Sequence, residues 1–211
     1  MDVQNQQKNW KHAKPVIGMM GAPGAGKSWV AQQFENLGCC IIDADALARD
    51  AINQPEIQKQ LCEWWGGDVI GRDGLINRIA IAKHVFGNRE NLEKLENLVH
   101  PMVHQLRAEL RTKAFKNSQF KAVIEDCPLL LEVGLDKECD VLVYVEAPWE
   151  ARLQRVTANR GWDEAELRKR EKNQALLDTK RQRADYIISN DADWAYCEAQ
   201  VREIASKIFP V

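Results

Sequence analysis

Gly21-Ala22-Pro23-Gly24-Ala25-Gly26-Lys27-Ser28 is the stretch whose reading decides the fold of this chain. It fits G-x-x-x-x-G-K-[ST], the phosphate-binding P-loop. The apolar run 15–20 before it predicts a short buried strand, and the run 28–34 after it predicts the start of a helix. The octapeptide therefore lies in the strand–loop–helix setting its chemistry needs. Glycines let backbone N–H groups turn inward around an anion. The helix start adds free N–H donors and the positive end of its dipole. Such a loop binds a nucleoside triphosphate, with Lys27 reaching the β- and γ-phosphates and Ser28 holding Mg²⁺.

Working outward, 211 residues with 45% hydrophobic content suit one α/β domain with inserted segments. A net charge of −2 provides no global field to recruit nucleic acid. No apolar run approaches the roughly 18 residues that a membrane span requires. Residues 1–14 are polar, lack the apolar centre of a secretory signal, and read as a loose extension. The six cysteines form no C-x-x-C pair, and four lie in or beside apolar runs. They read as reduced, buried thiols of a cytoplasmic protein. His12, His84, His100 and His104 show no metal-ligand pattern.

Short β-branched runs predict strands over 16–20, 39–43, 122–125, 141–146 and 186–189. They are nearly continuous in apolarity, as strands covered on both faces of a parallel sheet are. Helical patterns fall over 27–37, 47–52, 56–65, 79–86, 89–98, 101–115, 149–159, 164–177 and 194–208. The alternation predicts an α/β fold with a five-stranded parallel sheet flanked by helices. It is interrupted twice, which divides the domain 15–211 into a core (15–46, 120–148 and 184–211), a helical insertion (47–119) and a helical lid (149–183). Ligands of such sheets bind beyond the carboxyl ends of the strands, where these insertions would hold substrate and close over it.

Several polar groups fall at those strand ends. Asp43 and Asp45 close the second strand, where strand alternation would point both carboxylates to one side. Either could align and deprotonate a hydroxyl or hold Mg²⁺, and either could simply cap the next helix. Glu125 and Asp126 end the third strand in a Walker-B-like position for Mg²⁺. The loop after it, with Pro128 and Leu129, could offer main-chain contacts to substrate. Arg152 and Arg155 share a helix face in a charge-dense stretch that runs to Arg183. An arginine there could neutralise charge on a transferring phosphoryl group, although much of the stretch reads as solvated helix. Asn190, after the fifth strand, could border the base of the nucleotide. The tryptophans read as packing groups.

In order, these landmarks resemble dephospho-coenzyme A kinases, P-loop kinases related to the nucleotide monophosphate kinases. The resemblance covers roughly 16–208 and rests on the P-loop, Ile42-Asp43-Ala44-Asp45, Asp73-Gly74 followed by Arg78, and Val85-Phe86. It continues with Leu98-Val99-His100-Pro101, Asp126-Cys127-Pro128-Leu129-Leu130 with Glu132, Arg155, Gln174, and Ala184-Asp185-Tyr186-Ile187-Ile188 with Asn190. It implies a P-loop kinase fold and phosphorylation of the ribose 3′-hydroxyl of dephospho-coenzyme A by ATP with Mg²⁺. It also implies Asp45 as the base, with Lys27 and Arg155 on the phosphates. The nucleotide-binding set becomes Gly21, Pro23, Gly24, Ala25, Gly26, Lys27, Ser28, Arg155 and Asn190. The acceptor-binding set becomes Asp45, Arg78, His100, Pro128 and Leu129, and Ser28 and Asp126 become the metal-binding pair. Met20, Ala22, Pro23, Trp29 and Arg152 depart from the usual pattern. Those departures leave open another small-molecule or nucleotide kinase, or an ATP-binding protein of reduced activity.

Overall fold

The computed structural model describes residues 10–191 and 193–210. Strand β1, Val16–Gly21, is buried at every residue. A strand covered on both faces has no solvent side for polar residues, hence its continuous apolarity. It pairs in parallel with β3 (Ala122–Asp126) on one side and β4 (Val141–Glu146) on the other. β5 (Tyr186–Ser189) pairs in parallel with β4, and β2 (Cys39–Asp43) flanks β3. The order β2-β3-β1-β4-β5 is the expected five-stranded α/β sheet. The register sets Met19 against Asp126 and Gly21 against Val145, so the strand ends around the P-loop come level.

Helix α1 (Lys27–Asn36) packs on α9 (Trp194–Ile208). Cys197, Val201, Ile204, Ala205 and Ile208 recur at helical spacing and join Val30 and Phe34 over Ile17, Met19, Ile124, Val143 and Ile188. Helices α6 (Trp149–Arg160), α7 (Glu164–Lys172) and α8 (Leu177–Arg183) belong to the same unit. The residues through Ile42 and those from Lys113 onward form that compact unit, and Asp43–Thr112 forms a second.

The second unit holds α2 (Ala44–Ile52), α3 (Pro55–Trp65), α4 (Arg78–Val85) and most of α5 (Arg89–Lys116). Its core includes Ala51, Ile57, Leu61, Val69, Ile76, Ile81 and Val99. Among its described residues the extended pairing is a single antiparallel bridge, Ile70 to Ile76, across the Gly71–Gly74 turn.

Four local expectations change. The two helices expected over 89–98 and 101–115 are one 28-residue helix that runs through Pro101. Proline removes one backbone donor and crowds the preceding turn, at a cost of about 3 kcal/mol. The helix persists because Leu95, Val99, Met102, Val103 and Leu106 continue one apolar face across the proline. Conversely, the helix expected over 164–177 ends at Lys172 as α7, and a further helix that was not expected, α8, begins at Leu177. Between them the Ala175 N–H is captured by Glu132 and the Gln174 amide oxygen by Lys180. Helix α2 starts at Ala44, not near residue 47, so Asp45 lies on a helix and strand alternation does not aim it.

The fourth concerns the N-terminal extension. Residues 1–9 of the expected extension lie outside the described residues. The next few are tied down: Lys11 Nζ donates to the carbonyls of Lys137 (3.0 Å) and Cys139 (2.7 Å), and Lys14 Nζ to that of Ala114 (2.9 Å).

Candidate active site

Local geometry makes the P-loop an anion cradle. Gly26 precedes α1 in the left-handed region (φ 90°), where a side chain would be strained and would also run into Asn190. Among the described residues Gly26 offers α1 no side-chain cap and no acidic residue sits in its first turn, the setting in which a helix start receives an anion. At Gly24 (φ 79°) an added Cβ would come within 2.9 Å of the Arg152 carbonyl oxygen, because α6 packs directly on the loop. Lys27 Nζ donates to the carbonyls of Gly21 (2.9 Å) and Ala22 (3.2 Å), which tethers its ammonium to the start of the loop.

Asn190 and Arg155 brace the loop from outside. Asn190 is fully buried and its Nδ2 donates to the Ala25 carbonyl (2.8 Å). Arg155 donates through Nη2 to the Asn190 carbonyl (3.0 Å) and through Nη1 to the Ala25 carbonyl (3.5 Å). Its guanidinium also lies 5.7 Å from the ring centre of Trp194. Asn190, expected against the nucleotide, thus spends its side chain on the loop itself. Pro23 is buried, and its carbonyl accepts from Arg152 Nη1 (3.5 Å). Met20 and Ala22 are buried as well, so these departures fill packing positions, and Trp29 stacks obliquely on Trp194.

Ser28 Oγ donates to Asp126 Oδ2 at 3.3 Å. Asp126, at the end of β3, meets the P-loop serine. A hydroxyl and a carboxylate so close are hard oxygen donors of the kind Mg²⁺ takes. Pro128 and Leu129 follow in a loop where Leu129 is exposed. These groups belong to one unit. Asp45, Arg78 and His100 belong to the other, and all three are exposed. Asp43, not Asp45, caps α2, accepting from the Asp45 and Ala46 N–H groups (2.8 and 3.1 Å). Among the described residues the Asp45 carboxylate makes no hydrogen bond or ion pair. Arg78 opens α4, which Asn77 caps, and His100 precedes Pro101 within α5.

Two cations in the stretch that reads as solvated helix are in fact buried. Arg152, 5% exposed, pairs with Glu171 at 2.5 Å and lies 5.1 Å from the Trp149 ring centre. Its spacing from Arg155 was the available signal. Lys180, 1% exposed, gave none. Burial pushes its ammonium below the usual lysine range, and Glu132 pulls it back.

The dephospho-CoA kinase (CoaE) family model matches residues 15–195. The chain belongs to the dephospho-CoA kinase family. A dephospho-CoA kinase of Syntrophotalea carbinolica is 34% identical over 197 residues, 92% of each chain. One of Bacillus licheniformis is 35% identical over 191 residues, 90% of this chain and 94% of that one. The crystal structure of TT1252 from Thermus thermophilus superposes with a TM-score of 0.77 at 31% identity, over 92% of this chain and 98% of that one. Membership makes the chain a phosphotransferase of the last step of coenzyme A biosynthesis, a dephospho-CoA kinase with ATP as co-substrate. Among the described residues no helix is long and apolar enough to cross a membrane.

Proposed function

We propose that this chain transfers the γ-phosphoryl group of ATP to the ribose 3′-hydroxyl of dephospho-CoA, and that the Ser28–Asp126 contact at the foot of the P-loop marks where the transfer is organised. The backbone N–H groups of the P-loop, Pro23 excepted, and the Lys27 ammonium hold the β- and γ-phosphates. Ser28 and Asp126 would hold Mg²⁺, which when bound neutralises charge on those phosphates. Asp45 aligns the 3′-hydroxyl in line with the γ-phosphorus and takes its proton. The new bond joins the 3′-oxygen to phosphorus, the bond from phosphorus to the β–γ bridging oxygen breaks, and ADP leaves with that electron pair. Arg155, released from Asn190, stabilises the group in flight. Positioning and electrostatics carry nearly all such catalysis.

Arg78, His100 and the Pro128–Leu129 main chain bind the acceptor. The insertion 47–119 serves as its platform and 149–183 as the lid. The reading has no nucleic-acid partner and places the protein in the cytoplasm, in keeping with four buried thiols. Burial pushes the Cys39 thiol up to about 12, far from reactivity at neutral pH.

The deciding experiment incubates the protein with ATP, Mg²⁺ and dephospho-CoA and weighs the products. The expected product is coenzyme A, heavier than the acceptor by one phosphate. Nucleoside monophosphates serve as rival acceptors, and faster transfer to any of them would defeat the proposal. ATP bound tightly with no acceptor phosphorylated would mark a binding protein of reduced activity.

A further inference from the structure

Lys180 lies on α8 with its ammonium almost wholly out of water. Three oxygens surround Nζ: Gln174 Oε1 at 2.9 Å, the Pro128 carbonyl at 3.4 Å and Glu132 Oε1 at 3.5 Å. An ammonium has three protons, so every donor has an acceptor. Burying an ammonium costs several kcal/mol unless it is matched in this way. The same Glu132 oxygen accepts the N–H of Ala175. Two segments far apart in sequence, 128–132 and 174–180, therefore meet at one nitrogen. This junction is also where the helix expected over 164–177 breaks.

The first of those segments begins two residues after Asp126, the acid that meets Ser28. It displays Leu129 at 40% exposure, while the Pro128 carbonyl is held from beneath by Lys180. The second segment joins α7 to α8 and so belongs to the expected lid. Among the described residues, the hydrogen bonds of Gln174, Glu132 and Lys180 do not reach the P-loop.

We propose that Lys180 is a positioning residue for the acceptor: by pinning the 128–132 loop to the α7–α8 turn, it holds the Pro128–Leu129 main chain where dephospho-CoA docks. It sets acceptor affinity and turnover and leaves ATP binding alone. This role rests on the reading above that Pro128 and Leu129 meet dephospho-CoA.

The test compares wild type, Lys180→Met, Lys180→Arg and Glu132→Gln by steady-state kinetics with dephospho-CoA and by equilibrium binding of ATP without acceptor. Lys180→Met should lower kcat/KM for dephospho-CoA by about 10²-fold, the usual penalty for misplacing a substrate by about 1 Å, while the Kd for ATP moves by less than about threefold. Lys180→Arg should recover most of the loss, since a guanidinium offers donors to the same oxygens. Glu132→Gln should lose less, because the amide keeps an oxygen for Lys180. Normal dephospho-CoA kinetics in Lys180→Met would overturn the role, as would a loss of ATP affinity in step with kcat/KM. If Lys180→Met does not fold, Glu132→Gln decides by the same two measurements, and wild-type kinetics in it would overturn the role. A wild-type protein inactive on dephospho-CoA would sink both the acceptor reading and the role resting on it. An active wild type with an unaffected Lys180→Met would sink the role alone.

Discussion

The residues assigned to ATP and those assigned to the acceptor are built differently. The P-loop is braced on every side: Ala25 is held by Asn190 and Arg155, Pro23 by Arg152, and Ser28 meets Asp126. Most of those partners are buried. Asp45, Arg78 and His100 are exposed, and the Asp45 carboxylate is unengaged among the described residues. A triphosphate concentrates charge that a rigid set of dipoles can meet without reorganising. In the proposed function the acceptor is a long molecule, aligned by side chains that are exposed in the structure. Preorganisation on one side and openness on the other should therefore fail in different ways.

Asp45→Asn should show the largest effect, lowering kcat by about 10²–10⁴ if the carboxylate takes the hydroxyl proton, with no change in melting temperature. Near-wild-type turnover would remove Asp45 from the chemistry. Next, Lys27→Ala and Arg155→Ala should each cost about 10²–10³ in rate, the toll for losing one charge-stabilising group. Arg155→Ala should also loosen the Ala25 brace and lower the melting temperature, which Lys27→Ala should do less. Asn190→Ala turns the comparison into a stability measurement. It removes the buried donor to Ala25 and should cost about 1–3 kcal/mol in denaturant unfolding, together with weaker ATP binding. If ATP affinity fell with stability intact, Asn190 would be touching nucleotide directly. Asp43→Ala should cost only about 1 kcal/mol of stability through loss of the α2 cap, and chemical denaturation would report it.

The smallest effect at neutral pH concerns Cys39. Burial raises its folded thiol from 9.0 to about 12. Its contribution to stability is complete below 9.0 and is lost as pH rises through about 12. Melting temperature should thus fall along that alkaline span, and the slope should be shallower in Cys39→Ala. An identical slope in both proteins would refute this assignment.

Much of this architecture is legible in the sequence. The strands announced themselves because a parallel sheet covered on both faces leaves continuous apolar runs, and the P-loop because its glycines serve backbone geometry. Pro101 misled because a local rule met an apolar face extending on both sides of it. The break after Lys172 escaped because its cause, Lys180 with Glu132, lies about 40 residues away in sequence for one partner. Residue type alone does not separate Asp43 from Asp45, because capping a helix and taking a proton call for the same carboxylate; only the family resemblance singles out Asp45.

By itself the sequence determined the sheet, the triphosphate-binding loop and the family, since each depends on spacing and residue type along short segments. The tertiary structure alone decided which polar groups are buried. Nothing in the sequence marks Lys180, Arg152 or Asn190 as buried, even where Arg152 and Asn190 read as candidates for the nucleotide site. Only three-dimensional packing surrounds them with carbonyls and carboxylates, and burial without those partners would cost more than the fold can bear.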